Sequence, residues 1–255
     1  MDGSIEYIVK CYSKNDKRLL NLLTAPTAIK VKNILKDLNS KLIMKYYGSC
    51  ETNEFYYEIY HYTPGQDLFS YVNSHRISDI ECRNLFYTLL RGLEILHEHH
   101  ILHLDIKPEN IIVNSSEDHL FCTIIDFDKS ILFDEDIKLD NFNVIDYIGT
   151  VGYAAPEILK CESINYSADI WSAGITYFTM LTGKNLFMFT TPKQILTRLQ
   201  MIDITQTYFT RTYGISNESS LLLYSILEIN PRFRISLDEL IHLRVFNNCP
   251  QLFGF

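Results

Sequence analysis

The sequence lacks the features that mark several large classes of protein. Its formal net charge is −8 and its pI is about 5.5, so the basic surface that nucleic acids and anionic membranes require is missing. The six cysteines form no CxxC pair, which gives no zinc framework and favours reduced thiols. The chain has no run of about 18 apolar residues and no signal-peptide pattern at its start. We therefore expect a cytoplasmic or otherwise intracellular protein that is not secreted and binds neither nucleic acid nor membrane.

The residues that are present predict an α+β fold in one domain over residues 1–253. Three runs near the start, SIEYIVKCY, LIMKYYGSC and EFYYEIYHY, have the alternation and the aromatic content of strands. A helix is predicted from Pro26 to Leu38. The turn TPGQD at 63–67 marks a boundary between a small strand-rich lobe, 1–62, and a larger helical lobe, 63–255.

Helical signals dominate the larger lobe. Ser78 or Asp79 can cap a helix that runs to about His100. The run SADIWSAGITYFTMLTG is apolar almost all round, which predicts a buried helix ended by Gly183. Two further helices are predicted near 218–228 and 237–245. A cleft between two such lobes is a favoured place for a ligand.

The strongest motif is HLDIKPEN at 103–110. An aspartate, Asp105, can accept the proton of a substrate hydroxyl, and Lys107 can lie beside it and neutralise a transferring phosphate. Asn110 can ligate a metal from the same loop. Asp126, in the run IIDFDKS, is a carboxylate placed to hold Mg²⁺. The spacing therefore predicts phosphoryl transfer.

Three more motifs follow in order, namely GTVGYAAPE, SADIWSAG and NPRFRIS. Together with HLDIKPEN and IIDFDKS, they resemble the eukaryotic protein kinase family, and Lys107 and Thr150 resemble its serine/threonine branch. The resemblance covers nearly the whole chain. It implies the two-lobed kinase fold, ATP and Mg²⁺ as cofactors, and a protein substrate.

The resemblance also assigns roles to individual residues. Asp105 and Lys107 would be catalytic, and Asn110 and Asp126 would ligate the metal. The residues expected to bind the nucleotide are Lys10, Ile8, His61, Thr63, Asp67 and Ile112. Three structural features are also implied: a Glu157–Arg234 pair, an Asp169 brace under the catalytic loop, and an internal stack of His103, Phe127 and Leu35. Glu109 and Asp67 either contact basic substrate residues or are solvated surface acids.

The small lobe departs from the family pattern. Lys10 in YIVK is a better match to the nucleotide-binding lysine than Lys30, because it lies 95 residues before Asp105. Only nine residues precede Lys10, so we expect the Gly-rich loop to be missing or replaced. Ile8 stands where a small alanine normally lines the adenine site, and Val31 stands at the helix-glutamate position. No Glu occurs between residues 6 and 51, so Asp16 and Asp37 are the substitutes to consider for the glutamate that pairs with the lysine.

The larger lobe departs from the pattern at two places. Asp128 replaces a glycine that tolerates unusual backbone angles, and its added carboxylate either recruits a cation or faces solvent. Leu104 replaces the arginine that receives a phosphate, and the segment between Ile131 and Gly149 has no Ser or Thr. We therefore predict a kinase that is not switched on by activation-segment phosphorylation, with Tyr147 as the one candidate exception. The alternative is a pseudokinase that acts as a binding, scaffold or decoy module. Either form could have a partner that completes or regulates the small lobe.

Overall fold

The computed structural model describes residues 6–116, 119–133, 149–188, 191–202, 204–247 and 249. Within them the strands are β1 Tyr7–Ser13, β2 Tyr46–Glu51, β3 Phe55–His61, β4 Gln66–Asp67, β5 Ile101–Leu102, β6 Ile111–Ser116, β7 His119–Ile124 and β8 Ile131–Leu132. The helices are α1 Lys17–Leu23, α2 Pro26–Asp37, α3 Leu68–Ser74, α4 Asp79–Glu98, α5 Pro156–Leu159, α6 Ser167–Thr182, α7 Pro192–Met201, α8 Tyr208–Tyr213, α9 Asn217–Ile226 and α10 Leu237–Ile241. Short 3₁₀ turns cover Pro108–Asn110 and Arg244–Phe246. The α+β class that the sequence predicts is confirmed.

The small lobe is a three-stranded antiparallel sheet in the order β1-β3-β2, with α1 and α2 beside it. Lys10 on β1 lies directly opposite Glu58 on β3. Because side chains alternate along a strand, Lys10 shares one face of the sheet with Glu58 and Tyr60. The apolar face of α2 packs into the same core through Val31 and Leu35, both buried. The sequence therefore brings several charged and phenolic groups into a mostly apolar interior.

The larger lobe is built around two long helices. A capping box at Ser78 and Glu81 starts α4 and supplies two of its unpaired amides with partners. Helix α6 is buried over nearly its whole length and ends at Gly183, which has the left-handed φ of 68° that favours glycine. Both boundaries agree with the predictions. None of the helices in the described part of the chain is long and apolar enough to cross a membrane.

The two lobes meet where β7 ends. The amide of Met44 donates to the carbonyl of Ile124 at 2.9 Å, and Ile43 forms a parallel bridge with the same residue. The strands β4, β6 and β7 form a second sheet beneath this junction. Asn110 directly precedes β6 and Asp126 follows the end of β7 by two residues, so the predicted metal ligands lie beside this junction.

Several elements differ from the sequence-based expectation. The strand predicted from LIMKYYGSC begins only at Tyr46, because Leu42, Ile43 and Met44 turn inward and are buried against β7. The sequence pattern also missed helices α1, α3, α5, α7 and α8, all ten residues or shorter. Short helices carry too few apolar repeats to be recognised from periodicity alone. The boundary between the lobes at residues 62 and 63 stays a prediction.

Candidate active site

The catalytic loop is organised around the carboxylate of Asp105. The side-chain amide of Asn110 donates to both the carbonyl and Oδ2 of Asp105, each at 2.9 Å. The backbone amide of Thr150 donates to Oδ1 at 3.0 Å. The Lys107 ammonium lies 3.1 Å from Oδ2 and donates to the Thr150 hydroxyl at 2.7 Å. Asp105, Lys107 and Thr150 therefore share one set of hydrogen bonds, although 43 residues of chain separate the lysine from the threonine.

Gly149 allows this close approach of two segments. A Cβ placed on it would lie 2.5 Å from Oδ1 of Asp105 and 2.6 Å from the carbonyl of Leu104. Any side chain at this position would therefore displace the loop that carries the predicted base. The glycine of GTVGY is required here for space, since its φ is not in the left-handed region.

Asp169 holds the backbone of the loop from below. Its carboxylate accepts hydrogen bonds from the amides of His103 and Leu104, both at 2.9 Å, and contacts the His97 ring at 3.0 Å. Complete burial raises the pKa of Asp169, but the hydrogen bond and charge of His97 outweigh it and hold this pKa below its ordinary value. Leu104 adopts a left-handed φ of 63°, a strained conformation that these two amide bonds maintain. The predicted brace by Asp169 is confirmed.

Lys10 lies at the centre of a cluster of charges on the other side of the cleft. Its ammonium contacts Oδ1 of Asp126 at 2.6 Å and Oδ1 of Asp128 at 2.9 Å. Burial lowers the pKa of Lys10, yet the charges of Asp128 and Asp126 outweigh burial and raise it. Burial also raises the pKa of Asp126, but the nearby Lys10 holds it below its usual value. For Asp128, burial and the neighbouring Asp126 raise the pKa despite Lys10.

A second layer of polar groups lies behind this cluster. Glu58 is fully buried and forms an ion pair with Lys32 of α2, whose ammonium also donates to the carbonyl of Leu23 at 2.7 Å. The hydroxyl of Tyr60 donates to Glu58 at 2.9 Å, and that of Tyr12 donates to Asp128 at 3.0 Å. Burial, with the neighbouring carboxylates, raises the pKa of both phenols far above their usual range. Each buried carboxylate therefore has protonated phenol or ammonium donors.

The predicted substitutes for the helix glutamate do not reach Lys10. Asp16 caps α1, accepting from the amide of Leu19 at 3.0 Å, and Asp37 is exposed at the end of α2. The charged residue that α2 directs towards the sheet is Lys32, next to Val31. The carboxylates that contact the Lys10 ammonium in the described structure are Asp126 and Asp128. The sequence reasoning gave the Asp128 carboxylate to a cation or to solvent and did not predict its contact with Lys10, and it missed Lys32 altogether.

Oxygen ligands for a hard cation are present at Asn110 and Asp126. The nitrogen of the Asn110 side chain is used by Asp105, which leaves its Oδ1 available. Lys10 contacts Oδ1 of Asp126, whose side chain is one-third exposed. The amide of Ile125 donates to the carbonyl of Asn110 at 3.0 Å, so the two predicted ligands come from adjoining segments. Amide and carboxylate oxygens are the donors that Mg²⁺ takes from proteins, so this pair fits the predicted cation.

The other predicted nucleotide contacts lie along β1 and the connection between the lobes. Ile8 is 40% exposed and lies opposite Tyr60, which is buried. The amide of His61 already donates to the carbonyl of Lys45 at 2.9 Å, and that of Tyr62 donates to Glu6 at 3.0 Å. Adenine contacts from this stretch would therefore have to use carbonyl oxygens or Thr63. The side chains of His61 and Thr63 line a cavity of about 620 Å³ that Lys10 does not line.

Asp67 and Ile112 are neighbours across the second sheet, where they pair in register between β4 and β6. The Asp67 carboxylate caps α3 by accepting from the amide of Ser70 at 2.9 Å. Capping of α3 is a structural role for the Asp67 carboxylate that requires no ligand. Its second oxygen is still able to contact a ribose or a substrate. Glu109 is exposed beside the loop.

The activation segment, residues 126–157, is tied to the larger lobe at its end, as predicted. Arg234 and Glu157 form a buried two-pronged ion pair with N–O distances of 2.6 and 3.0 Å. The guanidinium also lies 5.0 Å from the centre of the Trp171 ring. His103 and Phe127 contact edge to face at 5.1 Å, and Leu35 is fully buried. The acidic stretch after Phe133, with Tyr147, lies outside the described residues.

Comparison with known proteins identifies relatives for nearly the whole chain. Residues 3–246 match the family model described as the protein kinase domain. The chain is 30% identical over 173 residues, 68% of its length, to the serine/threonine-protein kinase ATG1a of Arabidopsis thaliana. It is 31% identical over 86% of its length to the striated muscle preferentially expressed protein kinase of Danio rerio, and 30% over 79% to the phosphorylase b kinase gamma catalytic chain, liver/testis isoform, of Mus musculus. The chain spans 27%, 7% and 49% of these three relatives, respectively.

Proposed function

The chain belongs to the protein kinase family, and we propose that it is an active serine/threonine kinase that transfers the γ-phosphate of ATP to protein hydroxyls. The observation that carries the proposal is the shared hydrogen bonding of Asp105, Lys107 and Thr150. These groups have chemical roles, and the fold would not need them if the chain only bound a partner.

The geometry suggests how the chain's own residues would act. A substrate hydroxyl beside Asp105 would give its proton to the carboxylate as its oxygen forms a bond to the γ-phosphorus, and the bond from that phosphorus to the bridging oxygen of ADP would break. Lys107 would neutralise charge on the transferring group. Asn110 and Thr150 orient the Asp105 carboxylate, so the base meets the hydroxyl without first reorganising.

The cofactor proposal is ATP with Mg²⁺. Asn110 and Asp126 would hold the cation, which supplies charge neutralisation at the phosphates. Lys10 would contact the phosphates, while Ile8, His61, Thr63, Asp67 and Ile112 would surround the nucleoside. Support for the latter group comes from the family resemblance, although His61 and Thr63 line a cavity that Lys10 does not line.

We further propose that activity does not require phosphorylation of the activation segment. Leu104 is buried, with 5% of its surface exposed, and offers a new phosphate neither charge nor a hydrogen-bond donor. The backbone of this residue is already held by Asp169. A phosphorylation map that finds a stoichiometric phosphate within 131–149, together with loss of activity on its removal, would refute this proposal.

The partner proposals rest on surface chemistry. A protein substrate with basic residues near its hydroxyl would meet Glu109 and the remaining oxygen of Asp67. A partner completing the small lobe would cover Tyr7 and Val9 of β1, which are 52% and 55% exposed. All six thiols are free, which supports placement inside a cell.

Transfer of radiolabelled phosphate from ATP to a mixed Ser/Thr peptide library tests the main proposal. We expect measurable transfer by the parent protein and a loss of at least about a hundredfold in Asp105→Asn, because the amide cannot accept the proton. Asp37→Asn makes the same chemical change at an exposed position and should keep full activity. Equal transfer by the parent and Asp105→Asn would show that the signal does not come from this site.

One observation favours the pseudokinase alternative. Lys10 is tied to both Asp126 and Asp128, so nucleotide and cation must compete with contacts inside the protein. Mg·ATP at about 100 times its Kd stabilises a binding-competent fold by about 2.7 kcal/mol. A rise in Tm with Mg·ATP but no phosphate transfer would favour a nucleotide-binding pseudokinase. No rise in Tm and no transfer would favour a scaffold or decoy.

A further inference from the structure

We propose that Asp128 is the positioning residue for Lys10, and that it does within the larger lobe what a carboxylate on helix α2 would otherwise do. The inference deepens the proposed function and rests on it, because it concerns how the lysine is aimed at the ATP phosphates. Asp128 would thus be a functional replacement of a glycine rather than a defect.

The geometry around Lys10 leads to this proposal. The ammonium lies 2.9 Å from Oδ1 of Asp128 and 2.6 Å from Oδ1 of Asp126. The two carboxylates approach from the same short segment after β7, whereas Lys10 comes from β1 in the other lobe. Roughly a quarter of the Lys10 and Asp128 side chains is exposed, so the pair is shielded from solvent more than a surface ion pair would be.

Helix α2 cannot supply this anchor, because it presents a cation to the sheet. The Lys32 ammonium is bound by Glu58 and by the carbonyl of Leu23. Glu58 lies directly opposite Lys10 in the sheet, but its carboxylate is occupied by Lys32 and by the hydroxyl of Tyr60. The helix is therefore fixed to the sheet by an ion pair that leaves Lys10 out.

The two carboxylates that contact Lys10 have different tasks in the proposed function. Asp126 would coordinate the cation, so its ion pair with Lys10 would be weakened. Asp128 is held by the hydroxyl of Tyr12 at 3.0 Å and has no such second task. It would remain as the contact that keeps the Lys10 side chain extended into the cleft.

Acetylation of lysines at a saturating concentration of Mg²⁺, which engages Asp126, provides a test that needs neither nucleotide nor activity. The probe is the N-hydroxysuccinimide ester of acetic acid, with the rate at Lys10 measured by peptide mass spectrometry relative to the exposed Lys193. We expect Lys10 to react at least about fivefold faster in Asp128→Asn and Asp128→Gly, and at nearly the parent rate in Asp128→Glu. Asp37→Asn, which removes one negative charge elsewhere, should leave the rate unchanged. A Lys10 rate that is the same in Asp128→Asn as in the parent would overturn the proposal.

Binding of Mg·ATP gives the second measurement, by isothermal titration calorimetry. We expect Asp128→Asn to raise the Kd about tenfold, which corresponds to about 1.4 kcal/mol, and Asp128→Glu to recover most of this loss. If Asp128 only added negative charge near the phosphates, Asp128→Asn would bind Mg·ATP as tightly as the parent or more tightly, and the proposal would fail. A circular dichroism melt of each variant establishes that it is folded.

The outcomes separate the two proposals. If the parent transfers no phosphate while Lys10 becomes reactive and Kd rises in Asp128→Asn, the kinase proposal fails and the anchoring role stands. If the parent is active and the Asp128 variants match it in Lys10 reactivity and Kd, the anchoring role fails and the kinase proposal stands.

Discussion

The buried ion pair between Lys32 and Glu58 should couple α2 to the sheet more strongly than any exposed pair in the small lobe. The side chains are only 5% and 0% exposed, so each would be left as an uncompensated charge if its partner were removed. Removing one member of a buried pair costs about 3–5 kcal/mol. Each member keeps one polar contact when its partner is removed: the backbone carbonyl of Leu23 for Lys32 and the hydroxyl of Tyr60 for Glu58. The expected loss of stability therefore lies near the lower limit of this range.

We therefore expect Lys32→Met and Glu58→Gln each to lower the free energy of unfolding by about 3 kcal/mol. The double variant has no unpaired buried charge, and the amide oxygen introduced by Glu58→Gln can still accept from the Tyr60 phenol. It should lose about 3 kcal/mol, no more than either single variant, so the coupling energy is about 3 kcal/mol. Since a single domain has a total stability of about 5–15 kcal/mol, each single variant should melt well below the parent.

Urea denaturation at about pH 7.5, followed by far-ultraviolet circular dichroism, measures the four proteins of this cycle. Lys14 and Glu51 provide the matched control: their charged atoms are 2.9 Å apart, but the Glu51 side chain is 65% exposed. The cycle Lys14→Met with Glu51→Gln should give a coupling of less than about 1 kcal/mol. A Lys32–Glu58 coupling as small as that of the control would refute the reasoning, because it would show that burial does not strengthen the pair.

Two further predictions concern pH and thiol chemistry. The pKa of Asp169 is below its ordinary value of 3.8 in the folded protein, so its contribution to stability is present above that pH and lost as the pH falls through the folded pKa. Asp169→Asn should therefore be about 3 kcal/mol less stable than the parent at pH 7, with a gap that narrows below about pH 4. If urea titrations gave the same difference in unfolding free energy between the parent and Asp169→Asn at pH 7 and at pH 3, the difference would not come from the Asp169 charge. Burial raises the pKa of three thiols: to about 12 for Cys82 and Cys122, and to about 11 for Cys249. Ellman's reagent should thus titrate three thiols rapidly in the native protein and six in urea, and fast modification of Cys122 without denaturant would contradict the described core. The three thiols expected to react are Cys11, Cys50 and Cys161.

The parts of the fold and site that the sequence predicted are those determined by local chemistry. Ser78 and Gly183 mark helix ends through capping and left-handed backbone, and both signals lie within a few residues of the feature they control. The spacing within residues 103–110 likewise places Asp105 beside Lys107 and Asn110, because one loop carries all three. The Glu157–Arg234 pair is distant in sequence, and only the family resemblance predicted it.

The charged cluster in the small lobe was not predictable in the same way. Whether Lys10 meets Asp128, and whether Lys32 meets Glu58, depends on the register of β1 and β3 and on the rotation of α2. A weaker signal was available: Glu58 alternates with Tyr56 and Tyr60 in a strand that is otherwise apolar or aromatic. A single acid in such a strand is expected to be buried with a partner, and the cations of the neighbouring helix were the candidates.

The contacts of Lys10 also bear on the motion of the two lobes. Lys10 belongs to the small lobe, whereas Asp126 and Asp128 belong to the larger one. The chain connection at 62–65 joins the lobes at one edge of the cleft, and these ion pairs join them across it. Opening the cleft must break contacts that are partly accessible to ions, and salt screens such contacts. The rate at which the cleft opens should therefore rise with ionic strength, while the interior of each lobe keeps its structure.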